Sequence, residues 1–219
     1  MRLAGYIDLT LLRPDAATAD IESFASGALK YPFASLCVPP CHVKTVRDMA
    51  AESGVKVSTV AGFPLGYNIK GSKLFEAERA FEDGAAEVDM VMNVSLFKSG
   101  EFREVELEIA ELVRRLPQAV IKVIIETCYL SDAEKAAALD IAVAAGARFV
   151  KTSTGFGPGA ATVKDVELLS KRAAGRIGVK ASGGIKTLDE ALSMIRAGAV
   201  RLGTSAGIRI LEEAASRRV

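Results

Sequence analysis

A closed barrel of eight parallel βα units, a single-domain TIM (β/α)8 architecture of the α/β class, is the fold this sequence predicts. Three observations point to it. Short β-branched or apolar runs recur eight times along the 219 residues. Longer segments with helical spacing and scattered charge lie between them, and the punctuation that joins the two kinds of segment repeats from unit to unit. Half of the residues are hydrophobic and a quarter charged, enough apolar material for one large core over residues 1–219.

In chain order the strand candidates are YIDLTLL (6–12), ASLCV (34–38), VKVSTVAGF (55–63), AEVDMVMNV (86–94), VIKVIIET (120–127), ARFVKTS (147–153), RIGVKAS (176–182) and AVRLGTS (199–205). FREVELEIAELVRRL and SDAEKAAALDIAVAAG carry the clearest helical spacing between them. Ser131 with Glu134, and Thr187 with Glu190, fit the capping box, in which a hydroxyl at the helix start and an acid three residues on satisfy each other's free amides. Gly84, Gly146 and Gly198 each end a helical pattern and each precede alanine and a strand, as expected of a left-handed C-cap. An open doubly wound sheet is the alternative, but it wants a glycine-rich turn after the first strand, and RPDAATAD follows YIDLTLL. Eight units in this length suit a small barrel.

Basic residues exceed acidic ones by one, with the charges interspersed, so neither nucleic acid nor an anionic membrane is an expected partner. The start, MRLAGYIDLTLLRPD, is interrupted by Asp8 and Pro14 and lacks the form of a signal peptide, and no window is long and apolar enough for a membrane span. The expected location is the cytoplasm. Cysteines 37, 41 and 128 are odd in number, which argues against a disulfide framework, and Cys37, Cys41 and His42 would leave a zinc ion short of ligands in a chain with one histidine. Neither metal nor another cofactor is expected.

In such a barrel the chemistry gathers at the carboxyl ends of the strands. Lys151 and Lys180 lie there in matching contexts, FVKTSTG and GVKASGG, on the sixth and seventh strands. Parallel neighbours run ~4.8 Å apart, so two inward-pointing amines would approach closely and repel as ammonium ions. An ordinary lysine, with a pKa of ~10.4, is neutral in about one molecule in 2,500 at pH 7. Burial and a nearby cation both favour the neutral amine, the form that attacks a carbonyl to give a Schiff base. Asp89, inside the Val and Met of the fourth strand, must pair with a cation or move protons. Glu126 and Asp8 are weaker candidates of the same kind. Lys122, near the start of its strand, is expected to send its amine to the opposite, structural face. The loops Ser182-Gly183-Gly184 and Gly203-Thr204-Ser205 follow the last two strands, where barrels hold phosphate on backbone amides.

Taken together, IDLTLLRPDA, EVDMVMN, KVIIET, VKTSTGFG, VKASGGI and RLGTSAG resemble the deoxyribose-phosphate aldolase family over nearly the whole chain. The resemblance implies a class I aldolase without cofactor that cleaves 2-deoxyribose 5-phosphate to glyceraldehyde 3-phosphate and acetaldehyde, and a homodimer or higher homo-oligomer. It implies that Lys151 forms the Schiff base, that Lys180 perturbs it and relays protons, and that Asp89 is the acid of the relay. Gly155, Gly183, Gly184, Gly203 and Ser205 match phosphate positions, and Cys37 matches a cysteine near the substrate pocket. Thr154 and Thr204, beside these glycines, and Asp8 complete the expected substrate-binding set. Three departures stand out: Phe156 where some members have lysine, Ala206 where some have a second serine, and Leu9 where many have histidine. Two other readings keep the phosphate site: an acid–base phosphosugar enzyme in which Lys151 is an electrostatic clamp, and a phosphosugar-binding protein without turnover.

Overall fold

The computed structural model describes residues 3–217. Eight parallel strands close a barrel in sequence order: β1 (Ile7–Thr10), β2 (Ser35–Cys37), β3 (Lys56–Ala61), β4 (Glu87–Val91), β5 (Val120–Ile124), β6 (Phe149–Lys151), β7 (Gly178–Ser182) and β8 (Arg201–Thr204). β8 returns to β1 with Ile7 opposite Leu202 and Leu9 opposite Thr204. All eight predicted runs hold a strand, each shorter than its run. β3 stops because Gly62 turns the chain with φ 62°, β4 because Asn93 caps the next helix through the Leu96 amide at 3.1 Å, and β5 ahead of Glu126, whose φ is 51°.

Side chains alternate across each strand, and in this barrel the alternation is one of charge. Ile7, Leu9, Leu36, Val88, Met90, Ile121, Val123, Val150, Val179 and Leu202 belong to the apolar core that the helices cover. The residues between them, Asp8, Ser35, Ser58, Glu87, Asp89, Lys122, Lys151 and Lys180, are buried and reach one another across the barrel axis. Barrel interiors are usually filled by branched aliphatic side chains. Here an ion cluster occupies the interior and most of the aliphatic residues face outward, while Val91 and Ile124, in register with Lys151, face in.

The helices are α1 (Thr18–Ala28), α2 (Val43–Ala50), α3 (Lys70–Glu82), α4 (Val94–Lys98), α5 (Phe102–Arg115), α6 (Asp132–Ala144), α7 (Val163–Ala173), α8 (Leu188–Arg196) and α9 (Gly207–Ser216). Both expected capping boxes form: Ser131 and Glu134 bond at 2.7 and 3.3 Å, Thr187 and Glu190 at 2.9 and 3.3 Å. Gly84, Gly146 and Gly198 follow α3, α6 and α8 with positive φ, as their spacing predicts. No helix among the described residues is long and apolar enough to cross a membrane.

Candidate active site

β4, β6 and β7 bring Asp89, Lys151 and Lys180 together. Asp89 Oδ2 accepts from Lys151 Nζ at 2.8 Å and from Lys180 Nζ at 2.7 Å, so the two amines share one oxygen. Lys151 lies directly opposite Lys180 in the sheet register. Asp89 Oδ1 accepts from Lys122 Nζ, also at 2.7 Å. Lys122 therefore does not emerge at the structural face. Its side chain turns inward from a β5 position opposite Asp89, is fully buried, and meets Glu87 at 2.7 Å as well. Below this layer Arg201 joins Asp8 and Glu87.

Charge balance within the barrel sets one amine apart. Three carboxylates, Asp8, Glu87 and Asp89, meet four bases, Lys122, Lys151, Lys180 and Arg201, so full ionisation leaves one cation in excess. An uncompensated buried charge is costly, and loss of one proton removes it. Lys122 has three carboxylates within 4 Å, Lys180 two and Lys151 one. Lys151 is the weakest held. Burial pushes its ammonium below the ordinary value near 10.5; Asp89 pulls it back and Lys180 pushes it further down. Burial also acts against charge on Lys180, but Asp8 and Asp89 outweigh it and keep that ammonium above its ordinary range. Burial is thus the larger cause of the Lys151 shift, and repulsion from Lys180 adds to it.

The carboxylates are shifted in the same direction as Lys151. Burial alone would raise the pKa of Asp8 and Asp89, but Lys180, Lys122 and Arg201 around Asp8, and the three lysines around Asp89, hold both well below 3.8. Groups with a depressed folded-state pKa contribute stability that is complete above the unfolded value and lost as pH falls through the folded one. The urea midpoint should therefore fall steadily as pH drops below 3.8, and Asp8→Asn should flatten that dependence while lowering the midpoint at neutral pH.

The mouth above this cluster opens into a cleft of about 370 Å³, bounded by residues 10–14, 154–156, 182–186 and 203–205. Gly155, Gly183 and Gly184 have φ of 87°, 89° and 77°, a conformation that side chains rarely adopt, and Gly183 packs so that a Cβ would stand 3.6 Å from the Gly155 Cα. Ser205 lies exposed on the same wall, two residues ahead of the α9 N-terminus. The two threonines hold loops in shape. Thr204 Oγ1 donates to the Ile185 carbonyl at 2.6 Å and accepts from the Ala206 amide, and Thr154 Oγ1 donates to Glu126 while accepting from the Phe156 amide at 3.0 Å. Asp8 lies in the barrel interior, where Ser35, Lys180 and Arg201 donate to it, away from the phosphate cleft. Cys37 is buried in β2, where burial pushes its thiol up and keeps it protonated.

Gly203 acts through space rather than torsion. A Cβ there would meet Ser182 Oγ at 2.7 Å and Lys180 Cε at 3.1 Å. Gly203→Ala should cost about 1–3 kcal/mol by overpacking, read in the thermal midpoint, and should lower kcat more than it changes KM because it moves Lys180.

Sequence reasoning missed four participants. Glu87, Arg201 and the inward-facing Lys122 each stand in an apolar run at the parity of a known interior residue, which was a usable signal. Lys186 is the fourth. It lines the cleft and makes no ion pair among the described residues, whereas Arg13 on the same cleft is paired with Asp15 and Asp20.

A lysine whose pKa is lowered, beside an ammonium and a carboxylate, has the groups that imine chemistry on a carbonyl compound requires. A model of DeoC/LacD family aldolases matches residues 3–213. The chain is 51% identical over 198 residues to a deoxyribose-phosphate aldolase from Caldanaerobacter subterraneus subsp. tengcongensis (89% of this chain, 86% of that one) and 50% identical over 197 residues to one from Thermococcus kodakarensis (88% of each). Among solved structures it resembles "QR15, an Aldolase" (TM-score 0.95, 46% identity, 99% and 97% of the two chains). A tetrameric deoxyribose phosphate aldolase from Aeropyrum pernix superposes with TM-score 0.91 at 35% identity, over 99% and 92% of the chains. On the family match and these identities, the chain belongs to the DeoC/LacD family of aldolases.

Proposed function

We propose that this enzyme is a deoxyribose-phosphate aldolase, reversibly cleaving 2-deoxy-D-ribose 5-phosphate to D-glyceraldehyde 3-phosphate and acetaldehyde through a Schiff base on Lys151. The observation that carries the reading is the one surplus base of the barrel interior, which falls on the lysine held by a single carboxylate. Neutral Lys151 Nζ attacks C1 of the open-chain sugar. Loss of water from the carbinolamine, with a proton from Lys180 relayed by way of Asp89, gives an iminium ion. A base removes the C3 hydroxyl proton, the C2–C3 bond breaks, and its electron pair moves toward the iminium nitrogen. Glyceraldehyde 3-phosphate departs, leaving acetaldehyde on Lys151 as an enamine. Protonation at the terminal carbon and hydrolysis free acetaldehyde and the amine.

The glycine loops and Lys186 hold the phosphate in this scheme. Lys186→Gln should raise KM for 2-deoxyribose 5-phosphate about tenfold, the size of one charged hydrogen bond, with kcat within twofold and no change toward unphosphorylated 2-deoxyribose.

The role proposed is breakdown of deoxyribose phosphate in the cytoplasm, with small molecules as substrates. The tetrameric relative from Aeropyrum pernix supports a homo-oligomer. The test is a coupled assay for glyceraldehyde 3-phosphate, run beside borohydride reduction with acetaldehyde. Product release together with an N-ethyl group on the Lys151 peptide is the expected result. Absence of both rejects the reading.

A further inference from the structure

Most hydroxyls on the cleft above the lysines are already engaged. Thr10 Oγ1 donates to the Asp8 carbonyl at 3.0 Å, Thr154 Oγ1 to Glu126, and Thr204 Oγ1 to the Ile185 carbonyl at 2.6 Å. Ser205 is open to solvent. Ser182 differs from all four. It lines the cleft at 7% exposure, its amide is bonded to Thr152 Oγ1 at 3.1 Å, and its carbonyl accepts from the same hydroxyl at 3.2 Å. Its own Oγ has no hydrogen-bond partner among the described residues. A buried hydroxyl in that state carries a desolvation cost that one hydrogen bond recovers.

The strand fixes where this hydroxyl stands. Val179 and Ala181 belong to the helix-facing core, so Lys180 and Ser182 share the inner face of β7. Two residues of parallel strand rise ~6.6 Å, which sets Ser182 one step nearer the mouth than Lys180. Across the sheet Ser182 is paired with Gly203, where an added Cβ would stand 2.7 Å from Ser182 Oγ and 3.1 Å from Lys180 Cε. Gly183 and Gly184 follow directly. Ser182 Oγ is therefore held between the layer of amines and the glycine loop.

We propose that Ser182 is a specificity-determining residue that binds the 4-hydroxyl of the sugar through its Oγ. The inference rests on the aldolase reading. With C1 joined to Lys151, the C3 hydroxyl meets Asp89 and Lys180 and the 5-phosphate reaches the glycine loop. The 4-hydroxyl falls between them, at the level of Ser182. Either hydroxyl can donate and either can accept, so the bond forms without a change of charge. The missing side chain at Gly203 leaves room beside Oγ for it.

Two phosphorylated acceptors condensed with acetaldehyde test the proposal: D-glyceraldehyde 3-phosphate, whose 2-hydroxyl becomes the 4-hydroxyl of the sugar, and 3-oxopropyl phosphate, which lacks it. The wild-type enzyme should favour the first in kcat/KM by about tenfold, the scale of one hydrogen bond. Ser182→Ala should remove that preference by lowering kcat/KM for glyceraldehyde 3-phosphate about tenfold, with 3-oxopropyl phosphate and the rate of Lys151 N-ethylation each within twofold. An equal loss on both acceptors assigns Ser182 to the phosphate or to the fold, and no loss on either leaves it without a substrate contact. Each of these results overturns the proposal, as does a wild-type enzyme that treats the two acceptors alike. Should Ser182→Ala fail to fold, Ser182→Cys, with a thiol that is a weak donor, gives the same comparison. The two readings fail differently: acceptors treated alike, with condensation and the Lys151 adduct intact, remove this inference alone, whereas a wild-type protein that gives neither product nor adduct removes both.

Discussion

Lys151→Arg should reduce kcat on the order of 10⁵-fold, the scale seen when a covalent nucleophile is lost, and should yield no N-ethyl adduct with acetaldehyde and borohydride. Arginine keeps the positive charge and much of the reach, but its guanidinium stays protonated and forms no imine. It also restores the surplus cation that the barrel interior sheds through Lys151. Binding of the phosphorylated sugar should survive, because Lys151 is not among the residues that wall the cleft proposed to hold the phosphate. Steady-state kinetics and a binding titration on the same preparation check both halves. An electrostatic clamp at this position would retain a substantial part of the activity with arginine, so the variant separates the aldolase reading from an acid–base phosphosugar enzyme.

Asp89→Asn should be the most damaging change to the fold and to catalysis together. One carboxylate serves three amines, at 2.7, 2.7 and 2.8 Å, all buried. An amide keeps the shape and removes the charge, leaving Lys122 and Lys180 short of an anion. Breaking a buried ion pair in this way costs about 3–5 kcal/mol, which in a chain of this length lowers the thermal midpoint by roughly 10 °C. Activity should fall by at least 10²-fold, the lower range for a lost proton-transfer group. Calorimetry and kinetics at a temperature where the variant remains folded keep the two effects apart.

The architecture was legible because a parallel barrel writes itself as repetition. Each strand run carries β-branched residues on the helix-facing side, and capping pairs such as Ser131 with Glu134 mark the helices independently of any tertiary contact. Lys151 and Lys180 were legible for a related reason: both stand at strand ends before glycine loops. The depth of the ion cluster was harder to read. Lys122 looks like a solvent-seeking lysine early in a strand, yet its neighbours Ile121 and Val123 face the helices, which leaves the barrel interior as its only direction. The same alternation applied to Glu87 in β4 and Arg201 in β8 would have assembled the whole cluster. Other features depend on tertiary torsions that no local pattern encodes, such as the positive φ of Glu126 that aims its carboxyl at Thr154. Lys186 was hidden by plainness, since an exposed lysine just ahead of a helix is ordinary until the cleft beneath it is seen.

Phe156 lines the cleft and packs edge-on against Phe63, with the ring planes 86° apart.

The state of charge of the Lys151 amine is the central claim, and the pH dependence of trapping measures it most directly. Acetaldehyde and cyanoborohydride, with the rate of N-ethylation followed on the Lys151 peptide by mass spectrometry, report the fraction of Lys151 that is neutral. The account predicts a midpoint clearly below 10.5, the ordinary lysine value, and a midpoint lower still when Asp8→Asn removes one of the three carboxylates and leaves Lys180 dependent on the Asp89 oxygen it shares with Lys151. A rate that rises only at 10.5 or above, or that labels Lys180 ahead of Lys151, would contradict it.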